Sequence, residues 1–452
     1  MPKDIIDQSA KISTEKAIEE QHINNKLTAR ERIEAILDKN SFVETNGSIC
    51  NIDAGEKVTN AISGYGTIDR RLVYIFAQDH TINKGLFNKE QGRKLQNALS
   101  QALKAGVPLI TVFDSDGLQT EAGIEVLSSF GEIYNSFVMA SGVIPLISMI
   151  MGPCLGHAAI LAGLSDFVFA VEGSALSSPD CRGTASATYT NEGSIVHFLA
   201  GDEPSCIAQL RSLLAFLPSN NLEGVPVYEC TDSQTRCDGL LADMAESGPG
   251  DTDIRKVICA IADNHDFMEI QASSSDDLVY GFMRLNGITT GAIANQSASE
   301  KILNGSAARS AARFVNFCDA FSIPLLTLVD CRDAAAQDYR DTISMGQLVF
   351  TYANATVPKI ALICGDAFGK AYNLLGAKSL GTDAVIAWNC SAMAVMPTAD
   401  RENIHLQEAA AKGYIDLLIE PAQSRLYLIR FLDALLTKKE SRPAKKHDNM
   451  PL

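Results

Sequence analysis

The amino-acid sequence predicts an α/β protein built from two duplicated domains, and three observations support that prediction. The chain has 452 residues, which is too long for one ordinary hydrophobic core. Short apolar runs of strand length alternate with segments whose apolar residues recur at helical spacing. The second half also repeats features of the first half in the same order, and a repeat of this length indicates duplicated domains.

Four pairs of matching residues carry the repeat. They lie 217, 216, 213 and 213 positions apart, in the order Gly64 and Gly281, Pro108 and Pro324, Pro145 and Pro358, Gly156 and Gly369. A stretch rich in Pro, Gly, Asn and Ser at 218–249 separates the two copies. We therefore predict an N-terminal domain over 1–235, which includes a helical arm over 1–40, and a C-terminal domain over 236–452.

The elements of the first copy follow from local patterns. Thr28–Glu31 has the capping-box pattern that opens a helix in the arm. Gly64–Asp69 and Leu72–Ala77 are typical of the two strands of a hairpin. The leucines of Lys89–Gly106 recur every four residues and predict a helix, after which Pro108–Phe113 predicts a buried strand.

The most informative stretch is Ser141–Ala158, which follows a helix predicted over Ile124–Ser141. Its apolar run ends at a glycine-led turn, as in a buried strand that passes into a helix. Ala355–Ala371 repeats this pattern in the second copy. Such a turn directs backbone N–H groups to one point, so the pair predicts two sites for a developing oxyanion. The competing interpretation is that the glycines only allow close packing of helix and strand.

The composition argues against several classes of protein. The net charge of −16 disfavours a nucleic-acid partner, and apolar runs of about ten residues are too short to span a membrane. Met1–Ala10 lacks the apolar core of a secretory signal. The eleven cysteines form no C-x-x-C pair, which favours reduced thiols over disulfides or a zinc site. We therefore predict a cytoplasmic protein.

Familiar catalytic motifs are absent from the sequence. Gly365–Ala371 resembles a nucleotide P-loop, but it is one residue too short between its glycines, and Ala371 stands where Ser or Thr would bind Mg²⁺. The sequence has no H-E-x-x-H or G-x-S-x-G motif, and its seven histidines form no local acid–base cluster. A chemistry that relies on backbone N–H donors needs few titrating side chains, so this absence favours the oxyanion interpretation.

A series of motifs runs along nearly the whole chain, at Lys26–Ile33, Gly64–Ile68, Phe76–Asp79, Gly131–Ile133, Ala140–Pro145, Met151–Cys154, Leu217–Asn221, Phe267–Ile270, Ala312–Asp319, Ala355–Lys359 and Arg442–Leu452. The series resembles the carboxyltransferase (β) subunits of biotin-dependent acyl-CoA carboxylases, such as propionyl-CoA carboxylase, and the related decarboxylase subunits. This resemblance implies a crotonase-like fold, of the ClpP/crotonase superfamily, in each half. It also implies transfer of a carboxyl group between carboxybiotin and the α-carbon of a short-chain acyl-CoA.

The resemblance also implies roles for the two turns. The N–H groups of Gly156 and His157 would hold the thioester enolate, and those of Lys370 and Ala371 would hold the ureido oxygen of biotin. The expected substrate-binding residues are Ser115, Asp116, Gly117, Gly152 and Gly369. The ureido anion freed on CO₂ release can take the α-proton, so the chemistry needs no side-chain base and no metal.

The resemblance further implies partner proteins. The sequence has no Met-Lys-Met biotinylation motif and no ATP-grasp segment, so biotin is expected on a separate carrier protein that a separate biotin carboxylase carboxylates. A membrane decarboxylase subunit is the alternative partner. Subunits of the resembling family assemble as six, with each active site between the N-domain of one subunit and the C-domain of another, so we expect a homo-oligomer, a hexamer.

The sequence departs from the family at both turns, because His157 and Lys370 replace glycines. Ser115–Gly117 and Cys331–Ala334 also differ from the family's Ser-Gly-Gly and Pro-Gly-containing loops, and the segments after Val171 and Met396 are shorter. The imidazole of His157 is either a donor or proton shuttle, or it packs against the pocket. Three hypotheses therefore remain: an acyl-CoA carboxylase subunit, the carboxyltransferase of a sodium-pumping decarboxylase, and a non-catalytic paralogue.

Overall fold

The computed structural model describes residues 15–47, 49, 60–120, 123–177, 195–247, 253–271, 278–295, 302–334, 338–396 and 406–450. The chain divides into two compact units, Met1–Glu223 and Gly224–Leu452. Residues 224–235, which the sequence prediction placed in the first domain, therefore lie in the second unit. The reason is local bonding: the Tyr228 N–H donates to the Gly287 carbonyl at 2.9 Å, and Arg425 pairs with Asp232 at 3.7 Å.

The described residues of the first unit form one twisted sheet flanked by helices. The strands are β1 (Val43–Thr45), β2 (Ala61–Ile68), β3 (Arg71–Gln78), β4 (Leu109–Ser115), β5 (Leu146–Leu155), β6 (Phe167–Val171), β7 (Ala175–Ser177) and β8 (Phe198–Ala200). The helices are α1 (15–23), α2 (Ala29–Ile36), α3 (Lys89–Ala105), α4 (Ile124–Ala140), α5 (His157–Gly163) and α6 (Glu203–Phe216), with a 3₁₀ turn at Asn83–Gly85. The strand order is β1-β2-β3-β4-β5-β6-β8, and β7 pairs with the end of β5.

The described residues of the second unit form a sheet of the same kind. The strands are β9 (Phe267–Ile270), β10 (Leu278–Leu285), β11 (Ile288–Asn295), β12 (Ile302–Leu303), β13 (Leu325–Cys331), β14 (Asp333–Ala334), β15 (Lys359–Phe368), β16 (Ala384–Trp388), β17 (Ala392–Ala394) and β18 (Leu417–Ile419). The helices are α7 (Gly239–Ser247), α8 (Ile254–Ile261), α9 (Gly305–Ala320), α10 (Tyr339–Asn354), α11 (Gly369–Leu374), α12 (Leu406–Ala411) and α13 (Ser424–Leu435), with 3₁₀ turns at Asp263–His265, Lys378–Leu380 and Pro421–Gln423. The main sheet has the order β18-β16-β15-β13-β11-β10-β9, β17 pairs with β15, and β12 pairs with β14.

The topology of the two sheets confirms the duplication. In each unit an antiparallel hairpin (β2 and β3, or β10 and β11) is followed by parallel strands in the same order. A short strand, β7 or β17, pairs in both cases with the end of the ten-residue central strand, β5 or β15. The register also shifts at the same place, between Phe113 and Ser115 on β4 and between Val329 and Cys331 on β13.

The predicted local signals are also confirmed. Thr28 caps α2 in a complete capping box with Glu31. The helix predicted over Lys89–Gly106 is α3, which ends at Ala105 and is followed by Gly106 with a φ of 65°. The apolar face of α3 and the inner faces of β3, β4 and β5 form the core of the first unit. None of the helices in the described parts of the chain combines the length and the apolar character needed to cross a membrane.

Lys359 is a buried cation at the start of β15, and it predicts a pH dependence of stability. Its Nζ donates to the carbonyl oxygens of Tyr352 and Ala355 at 2.7 and 2.8 Å, at the C-terminal end of α10. Burial, together with the nearby charges of Lys438 and Arg442, lowers the pKa of Lys359 to about 8 from its ordinary 10.5. Between these two values the unfolded chain binds more protons than the folded chain, so this group makes the free energy of unfolding rise with pH.

We therefore expect Lys359→Met to flatten the dependence of the unfolding free energy on pH between about pH 8 and about pH 10.5. Denaturant titrations across this window measure the slope for the wild type and the variant. Lys446→Met, at an exposed lysine of the same unit, is the control and should keep the wild-type slope. Equal slopes for Lys359→Met and the wild type contradict the lowered pKa.

Candidate active site

In each sheet the ten-residue central strand ends at a turn that contains a glycine. β5 ends at Leu155 and α5 begins after Gly156, whereas β15 ends at Phe368 and α11 begins at Gly369. Gly156 has a φ of 57° and Gly369 a φ of 51°, in the left-handed region that favours glycine. The two turns therefore share a glycine of positive φ at equivalent positions of the repeat.

The N–H of Gly156 is engaged in the sheet. It donates to the carbonyl oxygen of Ser177 at 2.8 Å and so extends the pairing of β5 with β7. This bond conflicts with the expectation that the same N–H holds an enolate. The N–H groups that follow, of His157 and Ala158, lie in the first turn of α5, where a helix offers no acceptor of its own. They lie 213 positions before Lys370 and Ala371, and are thus the equivalents of that pair.

The His157 side chain packs against α4. Its Nδ1 lies 2.9 Å from the hydroxyl oxygen of Tyr134, and its ring stacks on Phe130 with the ring centroids 4.8 Å apart. Phe130 also stacks on Phe87, at 4.1 Å between centroids. The imidazole is therefore held on an aromatic cluster by a hydrogen bond and a ring contact. This arrangement favours the packing role of His157 over the role of a proton shuttle.

The second turn differs in its side chains. Lys370 is exposed, whereas Ala371 is fully buried. Asp366 lies three residues before Gly369 and pairs with Arg332 at 2.6 Å. Because Arg332 lies in the loop that departs from the family pattern, this ion pair ties that loop to the end of β15.

The loop at the end of β4 is closed by its own side chains. The Ser115 hydroxyl donates to the Gly117 carbonyl at 3.1 Å and accepts from the Gly117 N–H at 3.2 Å. Gly117 has a φ of 126°, and its carbonyl accepts from the Phe87 N–H at 2.8 Å. Asp116 Oδ1 lies 3.5 Å from Nε2 of His80. Ser115 and Asp116 thus shape the loop, and their contact with substrate remains a prediction.

In both units the buried carboxylate of an aspartate on the neighbouring strand lies against a glycine of the central strand. A Cβ on Gly152 would lie 1.9 Å from Asp114 Oδ1, and a Cβ on Gly365 would lie 2.2 Å from Asp330 Oδ1. Each aspartate occupies the register shift of its own strand. Gly152 therefore serves close packing against a carboxylate, which gives a reason for this glycine other than the substrate contact predicted for it.

An amide side chain completes the arrangement in each unit. Oε1 of Gln78 accepts from the Asp114 N–H at 3.2 Å, and Oδ1 of Asn295 accepts from the Asp330 N–H at 2.9 Å. Gln78 ends β3 and Asn295 ends β11, so both come from the neighbouring strand of the hairpin. The combination of amide, aspartate and glycine is therefore a duplicated feature of the fold.

The arm contributes cations to the carboxylate of the first unit. Asp114 accepts from Lys26 Nζ and from Arg32, each at 2.8 Å, and Arg32 also pairs with Glu203 at 2.6 Å. The Arg32, Asp114 and Glu203 side chains are all at most 3% exposed. Burial alone would lower the pKa of Arg32, but the hydrogen bonds and charges of Glu203 and Asp114 raise it. Arg32 therefore stays charged in the interior.

Sequence reasoning missed two groups of residues at the site. Tyr134 and Phe130 were not connected with His157, because nothing in the sequence marks a contact across 23 positions. The amide–aspartate–glycine arrangement did leave a signal. Its members lie 217, 216 and 213 positions apart, for Gln78 and Asn295, Asp114 and Asp330, Gly152 and Gly365. These separations match those of the four repeat pairs.

Some expectations lie outside the described residues. The shortened segments after Val171 and Met396 fall mostly within 178–194 and 397–405, and the start of the arm falls within 1–14. In the described parts of the chain, no group of three or more His, Cys, Asp or Glu side chains is placed to hold a metal ion. The Cys154 thiol, next to the first turn, is buried, and burial raises its pKa.

Comparison with known proteins gives consistent matches over nearly the whole chain. The carboxyl transferase domain model matches residues 20–404. The methylmalonyl-CoA decarboxylase subunit alpha of Veillonella parvula is 35% identical over 97% of this chain and 96% of its own length, and the propionyl-CoA carboxylase beta chain of Saccharopolyspora erythraea is 34% identical over 97% and 93%. The structure of transcarboxylase 12S, a hexamer with hydrolysed methylmalonyl-coenzyme A bound, aligns with a TM-score of 0.89 and 30% identity, over 99% of this chain and 98% of that chain. The chain therefore belongs to the carboxyl transferase family, and its two units have the crotonase-like fold.

Proposed function

We propose that the protein moves a carboxyl group between carboxybiotin and the α-carbon of a short-chain acyl-CoA. The observation that carries this proposal is the paired turn: at the end of the central strand in each unit, a glycine at φ 57° or 51° stands where a short helix begins. Two such turns provide N–H donors for two oxyanions, as the reaction needs for the acyl thioester and for the biotin ureido group. The names of the relatives support the substrate class.

The groups that this chain contributes to the reaction are backbone N–H donors of the two turns. The N–H groups of His157 and Ala158 hold the thioester oxygen as negative charge develops on it, and those of Lys370 and Ala371 hold the ureido oxygen. The equivalence of the two pairs in the repeat, and the engagement of the Gly156 N–H with Ser177, support His157 and Ala158 over the pair first predicted. Carboxybiotin, when bound, would supply the carboxyl group, and biotin would accept it in the reverse direction.

The side chain of His157 is compatible with this role. The Phe130 ring and the Tyr134 hydroxyl hold the imidazole on α4, while the backbone N–H of His157 belongs to the turn. A residue with ordinary helical φ can donate its N–H regardless of its side chain. The replacement of a glycine by histidine therefore does not by itself remove the oxyanion site.

An apolar surface supports assembly of the protein as a homo-oligomer. α4 and α5 carry large apolar side chains that are more than half exposed within the chain, namely Ile124, Leu127, Val138, Met139 and Ile160. Exposed apolar side chains on two helices of one chain are consistent with an interaction surface. We propose a hexamer, the assembly given for transcarboxylase 12S, with biotin on a separate carrier protein. A biotin carboxylase, or a membrane decarboxylase subunit, is then the further partner, and the location is cytoplasmic.

The decarboxylation direction is the second candidate, because the same half-reaction run backward removes the carboxyl group. It is favoured by the similarity to a methylmalonyl-CoA decarboxylase subunit, at 35% identity. The identity of the partner decides between the two directions. Co-purification of a biotin carboxylase supports the first, whereas co-purification of a membrane subunit supports the second.

The purified chain tests the proposal directly. With methylmalonyl-CoA or malonyl-CoA as substrate, free biotin should accept the carboxyl group on its ureido nitrogen. The α-carbon then takes a proton to give the shorter acyl-CoA, which chromatography of the CoA esters measures. His157→Gly should keep the rate within about threefold of the wild type, because the N–H donor remains. A wild type without turnover, combined with activity in a His157→Gly and Lys370→Gly double variant, shows instead that the protein is a non-catalytic paralogue.

A further inference from the structure

We infer that the N-terminal arm positions the first oxyanion turn, through Lys26 and Arg32 acting on Asp114 beneath β5. This inference rests on the proposed function and adds positioning residues to it. Residues of the arm are neither near the turn in sequence nor part of the loop that the resemblance assigns to CoA. Their connection with the turn is visible in the contacts of one buried carboxylate and of the strand beside it.

Asp114 is the centre of the connection. Its side chain is fully buried at the register shift of β4, and its carboxylate accepts from Lys26, Arg32 and Gln21 at 2.8, 2.8 and 3.5 Å. All three donors lie in the arm, at 21–32. Asp114 and Glu203 balance the charges of Lys26 and Arg32, as the burial of ions requires. The carboxylate is therefore tied to the arm.

The same group touches β5 directly. A Cβ on Gly152 would meet Asp114 Oδ1 at 1.9 Å and Lys26 Nζ at 2.7 Å, so both charged groups lie against the backbone of this strand. Arg32 also donates to the Met151 carbonyl at 3.4 Å. From Gly152 the strand runs four residues to Gly156. At about 3.3 Å per residue this is roughly 13 Å of hydrogen-bonded strand. A displacement of the backbone at Gly152 is therefore carried along the strand to the turn.

The second unit shows that the carboxylate belongs to the turn and not only to docking of the arm. Asp330 lies beneath Gly365 in the same way, and its Oδ1 accepts from the N–H of Asp366 at 2.8 Å. The carboxylate and the glycine are thus repeated at the turn of the second unit. We conclude that the arm acts on a feature that the duplicated turn already contained.

Arg211, on α6, provides a matched control because it also contacts the arm. It donates to the Ile36 carbonyl at 2.9 Å and pairs with Asp38 at 2.9 Å and with Asp69 at 2.6 Å. These contacts hold the end of α2 to α6 and to the β2–β3 hairpin. Loss of Arg211 should therefore loosen the arm without moving the carboxylate beneath β5.

The test compares Lys26→Met with Arg211→Lys in the biotin-dependent decarboxylation assay. Lys26→Met should lower kcat by about tenfold to a hundredfold, because the turn is displaced. Lys26→Arg should restore kcat, since it keeps the charge at Asp114. Arg211→Lys should change kcat less than twofold even where it lowers Tm. A kcat that falls equally in Lys26→Met and Arg211→Lys, or that follows Tm across the series, overturns the inference.

A second readout works without turnover. Hydrogen exchange measured by mass spectrometry should be faster in Lys26→Met than in the wild type for peptides that cover β5 and the start of α5. The same peptides should be unchanged in Arg211→Lys. If the wild type has no activity, the proposed function fails, and this exchange pattern then decides the positioning role alone. Unchanged exchange at β5 in Lys26→Met contradicts the inference.

Discussion

Replacing Gly156 by alanine is expected to lower kcat by about a hundredfold or more, because the turn would lose the alignment of its N–H donors. Gly156 has φ 57° and ψ −119°, a combination that L-residues avoid. Holding alanine there costs about 1–3 kcal/mol, and the backbone relieves that strain by rotating the peptide that leads into α5. The N–H groups of His157 and Ala158 would then point away from the thioester oxygen. Biotin-dependent decarboxylation of methylmalonyl-CoA measures kcat and KM.

Two further variants make this prediction specific. Gly369→Ala changes the equivalent position of the second unit, at φ 51°, and should lower kcat while leaving the binding of acyl-CoA unchanged. Gly163→Ala changes the other end of α5, where the nearest atom to a new Cβ is Ile195 Cδ1 at 3.9 Å, and should keep the wild-type kcat. A Gly156→Ala variant with the kcat of the wild type excludes the first turn from catalysis.

The turns could be predicted because a glycine in the sequence can indicate a backbone position of positive φ. A position that requires positive φ selects glycine, so Gly156 and Gly369 are visible in the sequence as a repeated residue in a repeated context. The apolar run before each glycine identifies the strand for the same reason, since a strand buried on both faces needs apolar residues throughout. Strand, turn and helix were therefore predictable in both halves.

The donors at the first turn could not be assigned from sequence alone. The engagement of the Gly156 N–H depends on β7, which pairs with β5 through Ser177, 21 positions later along the chain. A three-residue strand such as β7 has too few residues to show a periodic pattern. Side-chain contacts such as Tyr134 with His157 are likewise set by how α4 packs on α5. Tertiary packing, and not local propensity, decides these details.

Gly365→Ala is expected to lower the free energy of unfolding by about 3 kcal/mol or more, the second large effect. The new Cβ would lie 2.2 Å from Asp330 Oδ1 and 2.3 Å from its Cγ, well inside van der Waals contact. The aspartate cannot yield easily, because its carboxylate accepts from the Asp366 N–H and its own N–H donates to Asn295. Denaturant unfolding measures the loss, and Gly239→Ala is the control, since a Cβ there meets nothing within 4 Å.

A double variant separates a clash with Asp330 from a general intolerance of β15 to alanine. Asp330→Ala alone should also destabilise the unit, because the half-buried Asp366 N–H loses its carboxylate acceptor. In Gly365→Ala with Asp330→Ala the new methyl group occupies space that the carboxylate has vacated. The double variant should therefore lose less unfolding free energy than the two single variants lose together, by roughly 1 kcal/mol or more. Strictly additive losses would mean that the glycine is required for another reason, such as the conformation of the strand itself.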